Sequence, residues 1–309
     1  MLLKKSIKYL YSPSAPSLLG RGLGGGAFIM LTFLYSCTED INLTVVGGDK
    51  KIVIEGSIEN GKPARVMVTR NSPLGQTLDY NNLLVTNAQV YVSNGIITDT
   101  LRFNYPILDL TSSIPFLYKG SAFVGVPGQT YYLTVIADGI TYSSITTIPA
   151  LVSLDSVWWK EQPPKDSLGF AWAHLSEPAG FGNAYKWYAK RPTKDDRFLA
   201  PYASTFDDKF IDGKSFDFAY NRGTDPNATA AAPPILTDDG YFKKTDTIYI
   251  KFCTIDYFTA KFYTTYEAAL QTNGNPFASP VSIISNIYGG GLGVWGGFGC
   301  TYDTILPVH

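Results

Sequence analysis

The stretch that decides the fold reads Thr130-Tyr-Tyr-Leu-Thr-Val-Ile136, then Ala137-Asp-Gly139, then Ile140-Thr-Tyr-Ser-Ser-Ile-Thr-Thr-Ile148. Both long runs are rich in β-branched and aromatic residues, which favour strands. The Asp-Gly pair between them tolerates the positive φ angles that a two-residue hairpin turn requires. Pro149 ends the second run because proline cannot donate a hydrogen bond to a ladder. The stretch therefore predicts a β-hairpin.

Upstream of this hairpin, two more turn pairs separate strand-like runs. Asn60-Gly61 lies between Lys51–Ile58 and Ala64–Arg70, and Asn94-Gly95 follows the alternating run Ala88–Ser93. About seven short strands without a helical period, divided by such turns, are typical of a sandwich. Residues 51–150 are therefore predicted to form an immunoglobulin- or fibronectin-like β-sandwich. We expect binding in its end loops, Asn71–Asn82 and Phe103–Tyr118.

Downstream, residues 151–309 are predicted to form a second β-rich domain that carries one helix. Three runs indicate strands: Ser167–His174, Ala184–Lys190 and Asp246–Ile255. Asp256 then resembles a helix N-cap. A predicted helix over about 256–272 follows, because an apolar stripe recurs at helical spacing, and we expect the stripe to pack against the sheet; it consists of Phe258, Phe262, Tyr266 and Leu270. The predicted fold class is mainly all-β.

The N-terminal region predicts where in the cell the protein is located. The apolar run Ala27–Ser36 follows basic residues, is too short to span a bilayer and ends directly before Cys37. This pattern resembles a bacterial lipobox, which predicts that residues 1–36 are a signal peptide and that the Cys37 sulfur carries lipid. Residues 37–50 then form a lipidated tether. Glu39 and Asp40 resemble the surface-export signal of Bacteroidota lipoproteins, so we expect a protein lipid-anchored to the outer membrane and exposed at the cell surface.

Composition narrows the classes of partner. The chain carries a formal net charge of −1, 17% charged residues and 14% aromatic residues, with 21 tyrosines among them. Neither a nucleic-acid-binding surface nor a polybasic membrane patch is therefore expected. The low charge and high tyrosine content fit β domains with large contact surfaces.

The residues that carry chemistry are few. If Cys37 is acylated, Cys253 and Cys300 remain as one pair, either in a disulfide or as two separately buried thiols. His174 and the terminal His309 are the only histidines, and no nucleophile elbow or metal-ligand spacing accompanies them. Gly291-x-Gly-x-x-Gly296 matches the dinucleotide fingerprint, but a strand-like run follows it where a helix is needed. We predict no catalytic residue, no cofactor and no metal, and hence a protein that is not an enzyme.

Several phrases resemble a known family. They are Ile54-Glu-Gly-Ser-Ile58, Tyr142-Ser-Ser-Ile-Thr-Thr-Ile-Pro149, Asn275-Pro-Phe-Ala-Ser-Pro280, Ile284-Ser-Asn-Ile287 and Gly291-Leu-Gly-Val-Trp-Gly-Gly-Phe298. Together they are similar to the DUF4249 family of Bacteroidota outer-membrane lipoproteins of unknown function, often encoded beside SusC-type TonB-dependent receptors. The resemblance implies a non-enzymatic accessory partner of a SusC-like transporter or related envelope complex. The alternative is an adhesin or matrix-binding surface lipoprotein.

Overall fold

The computed structural model describes residues 49–72, 83–103, 118–223, 240–272, 277–279 and 281–307, except for the side chain of Lys165. The predicted signal peptide and most of the tether lie outside these residues, as do Cys37, Glu39 and Asp40. Most of both predicted binding loops also lies outside them, as does the terminal His309. Strands account for about half of the described residues, and the all-β prediction is confirmed.

The described residues include fifteen strands, one α-helix and a short 3-10 turn at Asp208–Phe210. In chain order they are β1 (Ile52–Glu59), β2 (Arg65–Arg70), β3 (Gln89–Ser93), β4 (Thr98–Phe103), β5 (Tyr118–Lys119), β6 (Thr130–Ala137), β7 (Ile140–Thr147), β8 (Ser156–Gln162), β9 (Lys165–Ser176), β10 (Ala184–Lys190), β11 (Thr205–Asp207), β12 (Ser215–Tyr220), β13 (Phe242–Lys243), β14 (Ile248–Ile255), α1 (Tyr257–Thr272) and β15 (Leu292–Ile305).

The three hairpins predicted from turn pairs are confirmed. β1 pairs antiparallel with β2, β3 with β4, and β6 with β7. Gly61, Gly95, Asp138 and Gly139 all have positive φ angles at the connecting turns. These turns depend only on adjacent residues, which is why the sequence predicts them well.

One large sheet runs through both halves of the chain. Its eleven strands follow the order β11-β10-β14-β15-β1-β2-β5-β4-β3-β6-β7, and β15 lies between β14, its antiparallel neighbour, and β1, its parallel neighbour. The predicted boundary at residue 150 falls between β7 and β8, but the last strand of the chain pairs with the first across it. The described residues, which run from 49 to 307 with gaps, belong to one compact unit.

Close backbone approach makes this central pairing possible. Gly293 on β15 has a φ angle of 116°, and a Cβ atom there would collide with the carbonyl oxygen of Ile54 on β1. The glycine motif Gly291–Gly296 thus runs into strand β15, and Trp295 and Phe298 are buried in two different core clusters. The glycine-rich segment therefore lets the backbone of β15 pass close to that of β1.

Two apolar layers cover one face of the large sheet. The first core joins β1 and β2 to β3, β6 and β7, and contains Ile54, Val66, Leu133 and the fully buried Trp295. The second core joins β10 and β14 to a smaller sheet, in which β9 pairs with β8, β12 and β13. The side chains that alternate with these buried residues point to the opposite face of the large sheet, where α1 lies.

The single predicted helix is present, and Asp256 caps it by accepting a hydrogen bond from the Thr259 N–H at 2.9 Å. Its aromatic stripe packs against the sheet only in part, since Tyr266 and Leu270 line a cavity between the helix and the sheet. Phe258 is 53% exposed and Leu270 50% exposed, whereas Thr259 and Ala260 are buried. The reason is that the sheet face beneath much of α1 is polar, as described below. No helix in the described part of the chain is long and apolar enough to cross a membrane.

Candidate functional site

The face of the large sheet beneath α1 carries charged and hydroxyl-bearing side chains in register. On β1, Ile52, Ile54 and Ile58 point into the core, so Glu55 and Glu59 point to the opposite face. Strand pairing places three further side chains in one row on this face, one each from β10, β14 and β15: Tyr188, Lys251 and Tyr302. The fold thus builds a polar surface from strands that are far apart in sequence.

A cavity of about 640 Å³ lies over this surface, within the size range of small-molecule sites. Strands β1, β10, β14 and β15 supply its floor, α1 one wall, and the loop of residues 197–202 another. We call it the Tyr188 pocket. Its lining includes seven aromatic and eight charged side chains: Tyr188, Phe198, Tyr202, Tyr263, Tyr266, Phe298 and Tyr302, with Glu55, Glu59, Lys62, Arg65, Lys186, Arg197, Lys251 and Glu267.

Glu59 is the centre of a satisfied ionic cluster. Its Oε2 accepts a hydrogen bond from Lys251 Nζ at 2.6 Å, and its Oε1 lies 2.7 Å from Lys62 Nζ and also accepts one from the Tyr302 hydroxyl. Burial alone would raise the pKa of Glu59, but the ammonium groups of Lys251 and Lys62 outweigh burial and lower the pKa. Glu59 is therefore held as a carboxylate.

A second ionic cluster fastens α1 to the sheet. Lys186 Nζ donates to Glu267 Oε1 at 2.7 Å and to the hydroxyls of Ser204 and Thr205 at 3.0 Å. The Lys186 side chain is only 3% exposed and that of Glu267 12% exposed. Burial lowers the pKa of Lys186, and the Glu267 carboxylate opposes this change. The pair is buried, hydrogen-bonded and close to Tyr263, whose ring centroid lies 4.3 Å from Lys186 Nζ.

Tyr188 lies between the two clusters. Lys186 and Lys251 each place an ammonium nitrogen 5.4 Å from the centroid of its ring, which is cation–π distance. Burial, followed by the nearby Tyr263 hydroxyl and the carboxylates of Glu59 and Glu267, raises the pKa of Tyr188 well above its ordinary value. The phenol therefore stays protonated, and its hydroxyl is hydrogen-bonded to that of Tyr263.

Glu55 differs from the other two carboxyl groups of the pocket. Its side chain makes no hydrogen bond or ion pair with any residue that the structure describes. Burial raises the pKa of Glu55, and no cation counteracts this effect. Its charge reaches the hydroxyls of Tyr188, Tyr263 and Tyr266, whose pKa values it helps to raise after the larger effect of burial. Glu55 is thus a half-buried carboxyl group among tyrosines.

Cys253 and Cys300 lie close to the Tyr188 pocket but do not line it. The structure joins them in a disulfide, and they are directly opposite each other on β14 and β15. Both pack under α1 against Ala260 and Phe298. The disulfide therefore ties together the two strands that carry Lys251 and Tyr302.

His174, the histidine that the structure describes, does not line the Tyr188 pocket. His174 Nδ1 lies 2.6 Å from Asp217 Oδ1 at a solvent-exposed position between β9 and β12. No group of three or more His, Cys, Asp or Glu side chains is placed to hold a metal ion among the residues described.

Sequence reasoning placed binding in the end loops and missed the Tyr188 pocket. A signal was present nonetheless: Lys186 and Lys251 each interrupt a strand whose other residues are largely apolar or aromatic. A charged residue in the middle of such a strand indicates a polar site on one face.

The described part of the chain is therefore an all-β protein with a ligand-sized pocket of mixed aromatic and ionic character. The chain belongs to the family described as Domain of unknown function (DUF4249), whose model matches residues 38–302. A comparison with curated proteins finds no match.

Proposed function

We propose that this protein is a surface-exposed outer-membrane lipoprotein that binds a small polar ligand in the Tyr188 pocket. It would serve as a non-enzymatic accessory partner of a SusC-like TonB-dependent transporter or a related envelope complex in a Bacteroidota species. The observation that carries the proposal is the pocket itself. Seven aromatic and eight charged side chains converge on one cavity of about 640 Å³.

The make-up of the pocket favours recognition. Aromatic rings offer flat apolar surface, and protonated tyrosine hydroxyls and lysine ammonium groups offer directed donors. The two ionic clusters fix Lys186 and Lys251 through hydrogen bonds of 2.6–3.0 Å, so these side chains are ordered before a ligand arrives. Preorganised polar groups in an aromatic cavity lower the entropic cost of binding.

The predicted location rests on the N-terminal sequence. The apolar run before Cys37, with Glu39 and Asp40 behind it, supports lipid attachment and export. The test is to replace the sulfur with oxygen by Cys37→Ser and to fractionate membranes. We expect the variant to leave the outer-membrane fraction. Unchanged fractionation would contradict the lipid anchor.

Ligand binding is tested by blocking the pocket. Ala200→Trp places a large ring on a lining residue of the pocket, and Ala122→Trp adds the same ring at an exposed position outside it. Protein isolated from native outer membranes in mild detergent would be analysed by native mass spectrometry. We expect a bound small molecule in the wild type and in Ala122→Trp, and its loss in Ala200→Trp. A wild-type protein that carries no ligand, or equal occupancy in both variants, would contradict the pocket's role.

The proposed partnership with a transporter is tested by co-purification. We expect a barrel protein to accompany the lipoprotein when the complex is isolated from native membranes, and a protein that always purifies alone would count against it. The adhesin alternative stays a prediction of the sequence. It would be favoured if gene deletion impaired attachment and left nutrient uptake normal.

A further inference from the structure

The three carboxyl groups of the Tyr188 pocket differ in how their charge is balanced. Glu59 lies within 2.7 Å of two lysine ammonium groups, and Glu267 accepts from Lys186 at 2.7 Å. Glu55 lacks any such partner among the residues described. A carboxylate in a half-buried site without a counter-charge is costly. A ligand that brings a cation to Glu55 would remove this cost.

The surroundings of Glu55 also suit a cation. Tyr188, Tyr263 and Tyr266 lie close enough to Glu55 for its charge to affect their hydroxyls. Aromatic rings attract ammonium groups through the negative electrostatic potential of their faces, most strongly when water is excluded. A carboxylate bordered by tyrosines is therefore a better site for an ammonium group than for a neutral hydroxyl.

Around Glu59, at the other end of the pocket, positive charges outnumber negative ones. Two ammonium groups, those of Lys62 and Lys251, share the single carboxylate of Glu59. Lysine offers three N–H donors, so both keep donors for an additional anion. Lys62 is 42% exposed, so its ammonium group is open to an incoming ligand. This end suits a carboxylate.

The spacing of the two ends sets the length of the ligand. Glu55 and Glu59 are four residues apart on one strand, so their backbone positions are separated by about 13 Å. An extended tripeptide spans roughly 10 Å between its termini, and the side chains that bind it reach into the cavity from both ends. A chain of three or four residues matches this distance.

We infer that the Tyr188 pocket binds short peptides, with the N-terminal ammonium group at Glu55 and the C-terminal carboxylate at Lys62 and Lys251. This inference rests on the proposed function of the pocket and assigns its ligand class. A neutral sugar would leave Glu55 without a counter-charge, and a dianion would place negative charge against it. A free peptide supplies both charges at the required separation.

The experiment compares three forms of one probe by isothermal titration calorimetry with the full chain. The probe is Ala-Phe-Ala with both termini free, with an acetylated N-terminus, or with an amidated C-terminus. Because a charge-assisted hydrogen bond is lost, we expect acetylation to weaken binding by roughly 10- to 100-fold. Amidation should weaken binding less, by a few-fold to roughly 10-fold, because Glu59 already occupies both lysines.

Two variants locate the effect. Glu55→Gln keeps the shape of the side chain and removes its charge, so it should bind the free and the acetylated peptide with nearly equal affinity. Glu161→Gln, at an exposed position on β8 outside the pocket, should preserve the wild-type preference. Equal affinity of the wild type for free and acetylated peptide, or no binding of either, would overturn the inference.

The two proposals can fail separately. If native mass spectrometry finds a non-peptide ligand that Ala200→Trp abolishes, the pocket binds ligand and only the peptide assignment is wrong. If the wild type neither carries a ligand nor binds the probe peptides, both proposals are wrong.

Discussion

Glu59 and Glu55 lie four residues apart on one face of β1 and line the same cavity, yet their environments are opposite. Glu59 has two lysines and a tyrosine hydroxyl as partners, and its pKa is lowered. Glu55 has no partner among the residues described, and its pKa is raised. The hydrogen-bonded charges around Glu59 stabilise the fold. The carboxyl group of Glu55 is instead available to a ligand. The contrast teaches that burial of a carboxyl group matters less for function than whether the fold balances its charge.

The largest expected loss of stability comes from removing one partner of the buried ion pair between Lys186 and Glu267. Lys186→Met leaves the Glu267 carboxylate buried without its ammonium partner, and we expect a loss of about 3–5 kcal/mol in the free energy of unfolding. Urea unfolding followed by fluorescence measures this. Lys119→Met, at an exposed position, is the control and should change stability by less than about 0.5 kcal/mol.

A double variant sharpens this test. Replacing both partners, by Lys186→Met with Glu267→Leu, removes the unpaired charge and should recover much of the lost stability. If the double variant is as unstable as the sum of the single variants, the pair is not coupled and the account of this cluster is wrong.

The second-largest effect is expected when the charge of Glu59, which is paired with two lysines, is removed. Glu59→Gln leaves the buried Lys251 without its carboxylate, and we expect a loss of about 2 kcal/mol near neutral pH. Because the pKa of Glu59 is lowered in the folded protein, its stabilisation is present above the ordinary value of 4.5. It is lost as the pH falls through the lower folded value.

The measurement for Glu59 is therefore a pair of unfolding curves over a range of pH. The difference between wild type and Glu59→Gln should be largest near neutral pH and should shrink below about pH 4.5. A difference that does not depend on pH would mean that shape, and not charge, accounts for the loss.

Local chemistry explains which features the sequence predicted. The hairpins at Gly61, Gly95 and Gly139 follow from two-residue turns, and the start of α1 follows from the Asp256 cap. Each depends on residues that are adjacent in the chain. Six of the seven described strands of the first half were likewise predicted from alternation and turns, whereas the two-residue β5 begins where the predicted loop Phe103–Tyr118 ends.

Long-range pairing explains what the sequence did not predict. The Tyr188 pocket needs β15 between β1 and β14, and strand alternation alone does not choose partners. The partial exposure of the α1 stripe has the same origin. Glu267 faces Lys186, and Leu270, one turn further on, lines the same polar pocket and stays 50% exposed. Helical spacing identified the stripe, but only the polarity of the opposing sheet decides which side of the helix is buried.

The smallest effect should have the opposite sign and comes from Glu55. A carboxyl group whose pKa is raised in the folded state stabilises the fold fully below its unfolded pKa, and this stabilisation is lost as the pH rises through the folded value. Glu55→Gln should therefore raise the free energy of unfolding by about 1 kcal/mol at pH 7.5, because no buried charge remains. Near pH 4 the variant and the wild type should be nearly equally stable, because 4.5 is the ordinary pKa of the group.

The groups that face Glu55 are Tyr188 from β10 and Tyr263 and Tyr266 from α1, with Glu267 and Lys186 beyond them. The tyrosines have raised pKa values, so they do not titrate between pH 4 and 7.5. A pH dependence that Glu55→Gln removes is thus assigned to Glu55. If Glu55→Gln is instead destabilised as much as Glu59→Gln, Glu55 has a partner in the folded protein, and the contrast between the two ends of the pocket fails. A gain in stability together with a loss of peptide binding would mean that this carboxyl group serves the ligand at the expense of the fold.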